Sequence, residues 1–174
     1  MTAQLQGLTR AAGTWIVSDS RTRVTFAVGN LGRTVHGSVA CSSGSVEVDA
    51  SGAPVRARAD LDLDSLATGI AKRDADLRKP RFLDIDRHPV MTWRCDRFVS
   101  TPDGGWTAEG TLSVRGTSTP LHVTGRPEAA GLDGEWVRVR AEGALDRTAV
   151  GIRAPSFLVG RVVTVSIDAW LTRR

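Results

Sequence analysis

In the segment VRARADLDL, Val55, Ala57, Ala59, Leu61 and Leu63 fall on one side of an extended chain, while Arg56, Arg58, Asp60 and Asp62 fall on the other. This period of two cannot make an amphipathic helix; it specifies a strand with one buried face and one solvated face. The pattern returns at Trp106, Ala108, Gly110, Leu112 and Val114, then at Val137, Val139, Ala141, Gly143 and Leu145, and again at Val163, Val165, Ile167, Ala169 and Leu171. Shorter stretches at 15–17, 23–28, 34–40, 45–48, 90–99 and 121–124 also fit. Turn-forming residues at 30–32, 42–44, 51–54, 101–105, 115–118 and 127–134 separate them.

About eight antiparallel strands with so little helix predict an all-β fold, either a sandwich or a closed barrel. The barrel is favoured, because each strand carries one apolar and one strongly polar face and because closure removes exposed edges. With 174 residues, 41% hydrophobic and 24% charged, one domain is expected. The expected division is a flexible segment over 1–12 and a single barrel over 13–174. Inward positions alternate between bulky residues (Phe26, Leu61, Trp93, Leu112, Leu145) and small ones (Ala57, Ala59, Gly110, Ala141, Gly143, Ala169). Two readings stay open: larger neighbours fill the gaps, or the small residues line a real cavity with room for an apolar guest.

Several function classes are disfavoured. The net charge of +4 suits an anionic partner, yet the arginines are scattered and interleaved with Asp and Glu, so no nucleic-acid stripe forms. The two cysteines, Cys41 and Cys95, and the three histidines, His36, His88 and His122, have no metal-ligand spacing. Buried free thiols are expected, with no metal and no cofactor. No apolar run of about 18 residues is present, so no stable membrane insertion is expected. The opening MTAQLQGLTRAAG lacks a signal-peptide h-region, and the chain as it stands is expected in the cytoplasm. Neither a nucleophile–base pair nor a phosphate loop stands out.

The sheet pattern breaks once, over 61–89, in LDLDSLATGIAKRDADLRKPRFLDIDRHP. A short helix is expected over 70–79, with Thr68 as N-cap and Pro80 ending it. Ile70 and Leu77 share a face on which Arg73 and Asp74 intervene, and Asp74 with Arg78 makes an i, i+4 pair. Two roles are open for the arginines: a network with Asp84 or Asp86 that holds a lid, or head-group contacts by Arg73 or Arg78 at a cavity mouth. Phe82 and Leu83 are expected to anchor the return.

The stretch DSLATGIAKRDADLRKPRFLDIDRHP resembles the signature of the YceI-like family, and GTLSVRGTSTPLHV resembles that family's Gly-x-Leu-x-x-Arg-Gly-x-Thr-x-Pro strand pair. GTWIVSDSRTRVTFAV, LDRTAVGI and GRVVTVSIDAWL are similar to its first hairpin and last strands, so the likeness runs nearly end to end. Its motif positions fall on Ser65, Thr68, Gly69, Arg73, Asp74, Leu77, Arg78, Phe82, Asp84, Pro89, Arg115, Gly116 and Pro120, with His88 where an aromatic is usual. The resemblance implies a lipocalin-like extended barrel that binds a polyisoprenoid or other long-chain lipid without catalysis, and a homodimer. Arg115-Gly116 is expected to form a tight turn, with Gly supplying positive φ.

The expected function is therefore carriage or sequestration of a long-chain amphiphile, such as a polyisoprenoid, an isoprenoid quinone or a fatty-acyl lipid. The expected apolar lining comprises Phe26, Leu61, Leu63, Ile70, Leu77 and Phe82 from the first half of the chain. Trp93, Leu112, Val139, Ala141, Gly143, Leu145 and Ile167 complete it, and Arg73 and Arg78 are the head-group candidates. Two competing readings are a packed barrel acting through its surface, as a protein-interaction or stress-related module, and a hydrolase of lipid esters or diphosphates.

Overall fold

The computed structural model describes residues 12–152 and 160–174. The strands are β1 (Gly13–Val17), β2 (Arg23–Asn30), β3 (Arg33–Val48), β4 (Pro54–Ala67), β5 (Val90–Cys95), β6 (Phe98–Ser100), β7 (Trp106–Val114), β8 (Thr117–Ala130), β9 (Trp136–Asp146) and β10 (Val162–Arg173). Helix α1 (Ala71–Leu77) lies between β4 and β5, and a single 3-10 turn (Arg147–Val150) follows β9. All pairings are antiparallel, and β9 against β10 closes the sheet into a barrel. β1 and β2 are two halves of one stave, since both pair with β3 and with β10. β5 and β6 likewise share the flank of β7. Counted so, ten strands make eight staves, which is the expected barrel.

Three boundaries differ from the sequence expectation. The stretches 34–40 and 45–48 are one strand, β3, because 42–44 forms no turn. Register shifts between Ser38 and Ala40 and between Cys41 and Ser43 bend the strand. The local polar groups serve that bend: Ser42 Oγ donates to the Asp60 carbonyl at 3.1 Å and Ser43 Oγ to the Asp60 carboxylate at 3.0 Å. The stretch 90–99 is broken at Asp96 and Arg97, and β8 runs on through Pro127 to Ala130, so the turn there is confined to 131–135. At 115–116 the expected tight turn forms, with Arg115 at φ 53° and Gly116 at φ 74°.

Strand direction sorts the connections to two ends of the barrel. The excursion 68–89, the Arg115-Gly116 turn and the 3-10 turn lie at one end; the turns 49–53, 101–105 and 131–135 lie at the far end. At the excursion end the core is densely filled. Leu63, Leu83, Ile85, Leu112, Val114, Leu121, Val123 and Val150 are all buried in one cluster. Toward the far end, Trp15 and Leu171 pack with Val17, Val46, Val48, Val137 and Val139. Most of the expected flexible segment 1–12 lies outside the described residues.

Candidate functional site

Between the middle of the barrel and its far end lies a cavity of ≈ 280 Å³. Its walls are the inward faces of the alternating strands: Ala57, Ala59 and Leu61 of β4, Ala108 and Leu112 of β7, Val139 and Ala141 of β9, and Val165, Ile167, Ala169 and Leu171 of β10. Trp15, Phe98 and Trp106 add aromatic surface toward the far end. Arg58 and Arg126 are the charged residues on its border, and no His, Asp or Glu stands there among the described residues.

The two readings of the small inward residues both hold, at different positions. A Cβ at Gly110 would lie 2.4 Å from the Trp93 ring, so Trp93 fills that gap, and its indole N–H donates to the Leu121 carbonyl at 3.0 Å. A Cβ at Gly143 would lie 2.8 Å from the His122 carbonyl oxygen, so that glycine admits the neighbouring β8 backbone. The alanines instead face open space in the cavity. Trp93 and Leu112 form its floor.

Beyond that floor the excursion plugs the barrel. Thr68 does not cap α1; the residue at the cap position is Ile70, extended and without a side-chain cap. The Thr68 backbone N–H and hydroxyl both donate to Asp74, at 3.0 and 2.5 Å. Arg73 Nε then donates to Thr68 Oγ1 at 2.7 Å and Nη2 to the Thr68 carbonyl at 2.9 Å. Asp74 is therefore not the partner of Arg78, whose Nη2 meets Asp64 and Asp86, each at 2.8 Å. α1 also ends at Leu77, three residues before Pro80.

Other signature residues work in the same way. Ser65 Oγ accepts from the Ala40 N–H at 2.7 Å, replacing the ladder bond that the β3 irregularity removes. Arg115 donates to the Phe82 carbonyl, tying the β7–β8 turn to the plug. The network reading of the excursion describes these contacts, with Asp64 joining Asp86 in place of Asp84.

Of the residues expected to line a guest site, Leu61, Trp93, Leu112, Val139, Ala141 and Ile167 border the cavity. Leu63, 1% exposed, and Leu145 belong to the packed core above its floor. Phe26 lies against Gly37 and Ile70 is exposed, while Leu77 and Phe82 belong to the plug. Neither Arg73 nor Arg78 borders the cavity. Trp15, Phe98, Ala108 and Leu171 line it and are not among the expected residues, although Ala108 and Leu171 sit in strands that the alternation marks clearly. Cys41 also borders it; both cysteines are buried free thiols, and burial pushes each thiol above its ordinary range.

Asp146 holds the 3-10 turn that closes the excursion end. Its Oδ1 accepts from the Thr148 hydroxyl at 2.6 Å and backbone N–H at 2.9 Å, and Oδ2 accepts from Arg161 at 2.8 Å. These partners, Thr148 foremost, hold its carboxyl at about 2 against an ordinary 3.8. A depressed folded-state value means the carboxylate stabilises the fold above about pH 4, and that contribution disappears as pH falls through about 2. Asp146→Ala is therefore expected to melt at a lower temperature than the parent at pH 7, with the gap narrowing between about pH 4 and 2. Thermal melts across that range would contradict this assignment if the gap stayed constant.

The YceI-like domain family matches residues 15–171. A curated relative, a UPF0312 protein from Azotobacter vinelandii, is 28% identical over 120 residues, covering 68% of this chain and 62% of its own length. Among solved structures, BcnA from Burkholderia cenocepacia superposes with a TM-score of 0.78 at 14% identity, covering 88% of this chain and 98% of that one. A polyisoprenoid binding domain from Saccharophagus degradans, implicated in plant cell wall breakdown, gives 0.68 at 12% identity, covering 92% and 98%. The Campylobacter jejuni YCEI protein gives 0.68 at 18%, covering 80% and 85%. Identities this low speak to the fold alone, but the family match spans the barrel from β1 to β10: this chain belongs to the YceI-like domain family.

Proposed function

We propose that this protein carries or sequesters a long-chain amphiphile, a polyisoprenoid, isoprenoid quinone or fatty-acyl lipid, with its tail in the barrel cavity. The observation that carries this reading is the lining: eleven of the inward side chains named above are aliphatic, and among the described residues the border holds two arginines and no acid. An apolar tail gains about 0.8 kcal/mol per methylene removed from water. A cavity of ≈ 280 Å³ is at the small end of ligand sites, commonly about 300–1,000 Å³, so it suits one slender chain. The polyisoprenoid-binding description of the Saccharophagus degradans domain agrees with that class of guest.

Arg58 and Arg126 are the favoured head-group contacts. Their salt bridges are loose or exposed, Arg126 to Asp103 at 3.8 Å and Arg58 to Asp60 at 3.0 Å, and a guanidinium fork suits a phosphate or carboxylate. Arg73 and Arg78 are already engaged at the other end of the barrel. Carriage without catalysis is favoured because, among the described residues, no His, Asp or Glu on the cavity border offers a general base for a nucleophile.

Solvent extraction of the purified protein, followed by mass spectrometry, tests the reading. A prenyl or acyl species near one per chain is the expected result. An empty extract, together with no uptake of added prenyl or fatty-acyl probes, would replace carriage with a barrel that acts through its surface.

A further inference from the structure

Among the described residues the antiparallel ladder links each stave to the next round the barrel, but between β4 and the β5–β6 stave it stops partway. β4 pairs with β5 from Asp62↔Val90 down to Ala57↔Cys95, and there the ladder stops. Below that point Pro54, Val55 and Arg56 of β4 face the β6 flank, yet β6 pairs only with β7, and no backbone bond joins β4 to β6 among the described residues. Both sides of the seam are built to stay unpaired. Pro54 has no N–H to donate. Val55 is the extra residue where the β3–β4 register skips from Glu47↔Arg56 to Val48↔Pro54. Across the gap, Asp96 and Arg97 interrupt the stave, and the Arg97 carbonyl turns to the Glu109 N–H of β7 at 2.9 Å.

This seam opens on the cavity. Gly52 and Pro54 on one side and Phe98 on the other are cavity-lining residues. Val55, which alternation places on the inward face of β4, is 43% exposed where the register skips, and with Val99, 46% exposed, it makes an apolar pair flanking the gap. Where the ladder is formed a chain crossing the wall must break its bonds, but at this seam none stands in the way among the described residues.

We infer that the β4–β6 seam is the lateral portal through which the tail of the amphiphile enters and leaves. This rests on the carrier reading above. The tail threads between Pro54 and Phe98 into the alanine-walled space, while the head group stays outside near Arg58.

The portal is tested by stapling it shut. In Val55→Cys/Val99→Cys, a short bis-maleimide bridges the two flanks. The native thiols can stay, because Cys41 and Cys95 are buried and burial raises both, leaving little thiolate to react. The control staple, Thr124→Cys/Glu142→Cys, joins register partners of β8 and β9 that are already laddered. Stopped-flow uptake and release of cis-parinaric acid is read for both, with melts confirming that both stay folded. Expected are at least tenfold slower uptake and release in the seam staple, an unchanged Kd, and parent rates in the control. Parent rates in the seam staple would overturn the portal while leaving carriage standing. A parent protein that takes up neither cis-parinaric acid nor a dansylated prenyl probe would remove the carrier reading, and the portal with it.

Discussion

Replacing Ala141 and Ala169 together by leucine is expected to weaken binding of a long-chain guest about fifty-fold or more without unfolding the barrel. Both alanines line the cavity on neighbouring strands, so the added side chains enter empty space. Each methylene of a guest that no longer fits forfeits about 0.8 kcal/mol, and room lost for three of them is about 2.4 kcal/mol. Filling a void also adds packing, so the melting temperature is expected to hold or rise. Gly143→Leu should behave in the opposite way. Its Cβ alone would meet the His122 carbonyl oxygen at 2.8 Å and the Leu121 and Val123 side chains at 3.3 Å. Overpacking of that kind costs about 1–3 kcal/mol or more. Titration with cis-parinaric acid and chemical denaturation of the two variants separate the cases. Unchanged affinity in Ala141→Leu/Ala169→Leu would mean that the guest lies elsewhere.

Alternation made most of this barrel legible. β4, β7, β9 and β10 follow it closely, because each must present one face to the interior and the other to water. What alternation cannot carry is a register that skips. The serines of 42–44 read as a turn because small polar residues favour turns, and in the fold the same hydroxyls satisfy an irregularity by reaching Asp60 on the next strand. The helix was legible and its start was not, because Asp74 draws Thr68 away from the cap position by a pairing that no local rule anticipates.

The candidate site divides along the same line. Positions such as Leu61, Ala141 and Ile167 were legible as inward-facing. Whether a small inward residue is filled or empty depends on what its neighbours place over it: Trp93 of the adjacent strand β5 covers Gly110, while Ala57, Ala59, Ala108 and Ala169 border the cavity. The excursion is the place where the sheet pattern fails. In the fold its polar residues bond to one another and to turns, closing the end of the barrel remote from the cavity.

Arg147→Ala should be among the most damaging single substitutions in this chain, costing about 3–5 kcal/mol. Arg147 follows Leu145 at the next inward position of the β9 pattern, and at 1% exposed it is the largest fully buried side chain among the described residues. Its Nε donates to the Gly160 carbonyl at 2.8 Å and Nη1 to the Ile152 carbonyl at 2.9 Å, while its backbone N–H meets the Arg161 carbonyl at 2.9 Å. One side chain thus joins the chain leaving β9 to the chain entering β10. Truncation leaves carbonyls without a donor, at about 1–3 kcal/mol each, and a void in the core beside them. Against a total stability of about 5–15 kcal/mol, that is a large fraction. The Arg147→Lys variant keeps the charge but lacks the fork, so only part of the loss should return. Urea denaturation of Arg147→Ala within about 1 kcal/mol of the parent would refute this role. A second readout ties the residue to the plug and not to the guest: the fraction of Arg147→Ala that remains folded should bind cis-parinaric acid with the parent Kd, because the floor formed by Trp93 and Leu112 separates the cavity from the end that Arg147 holds together.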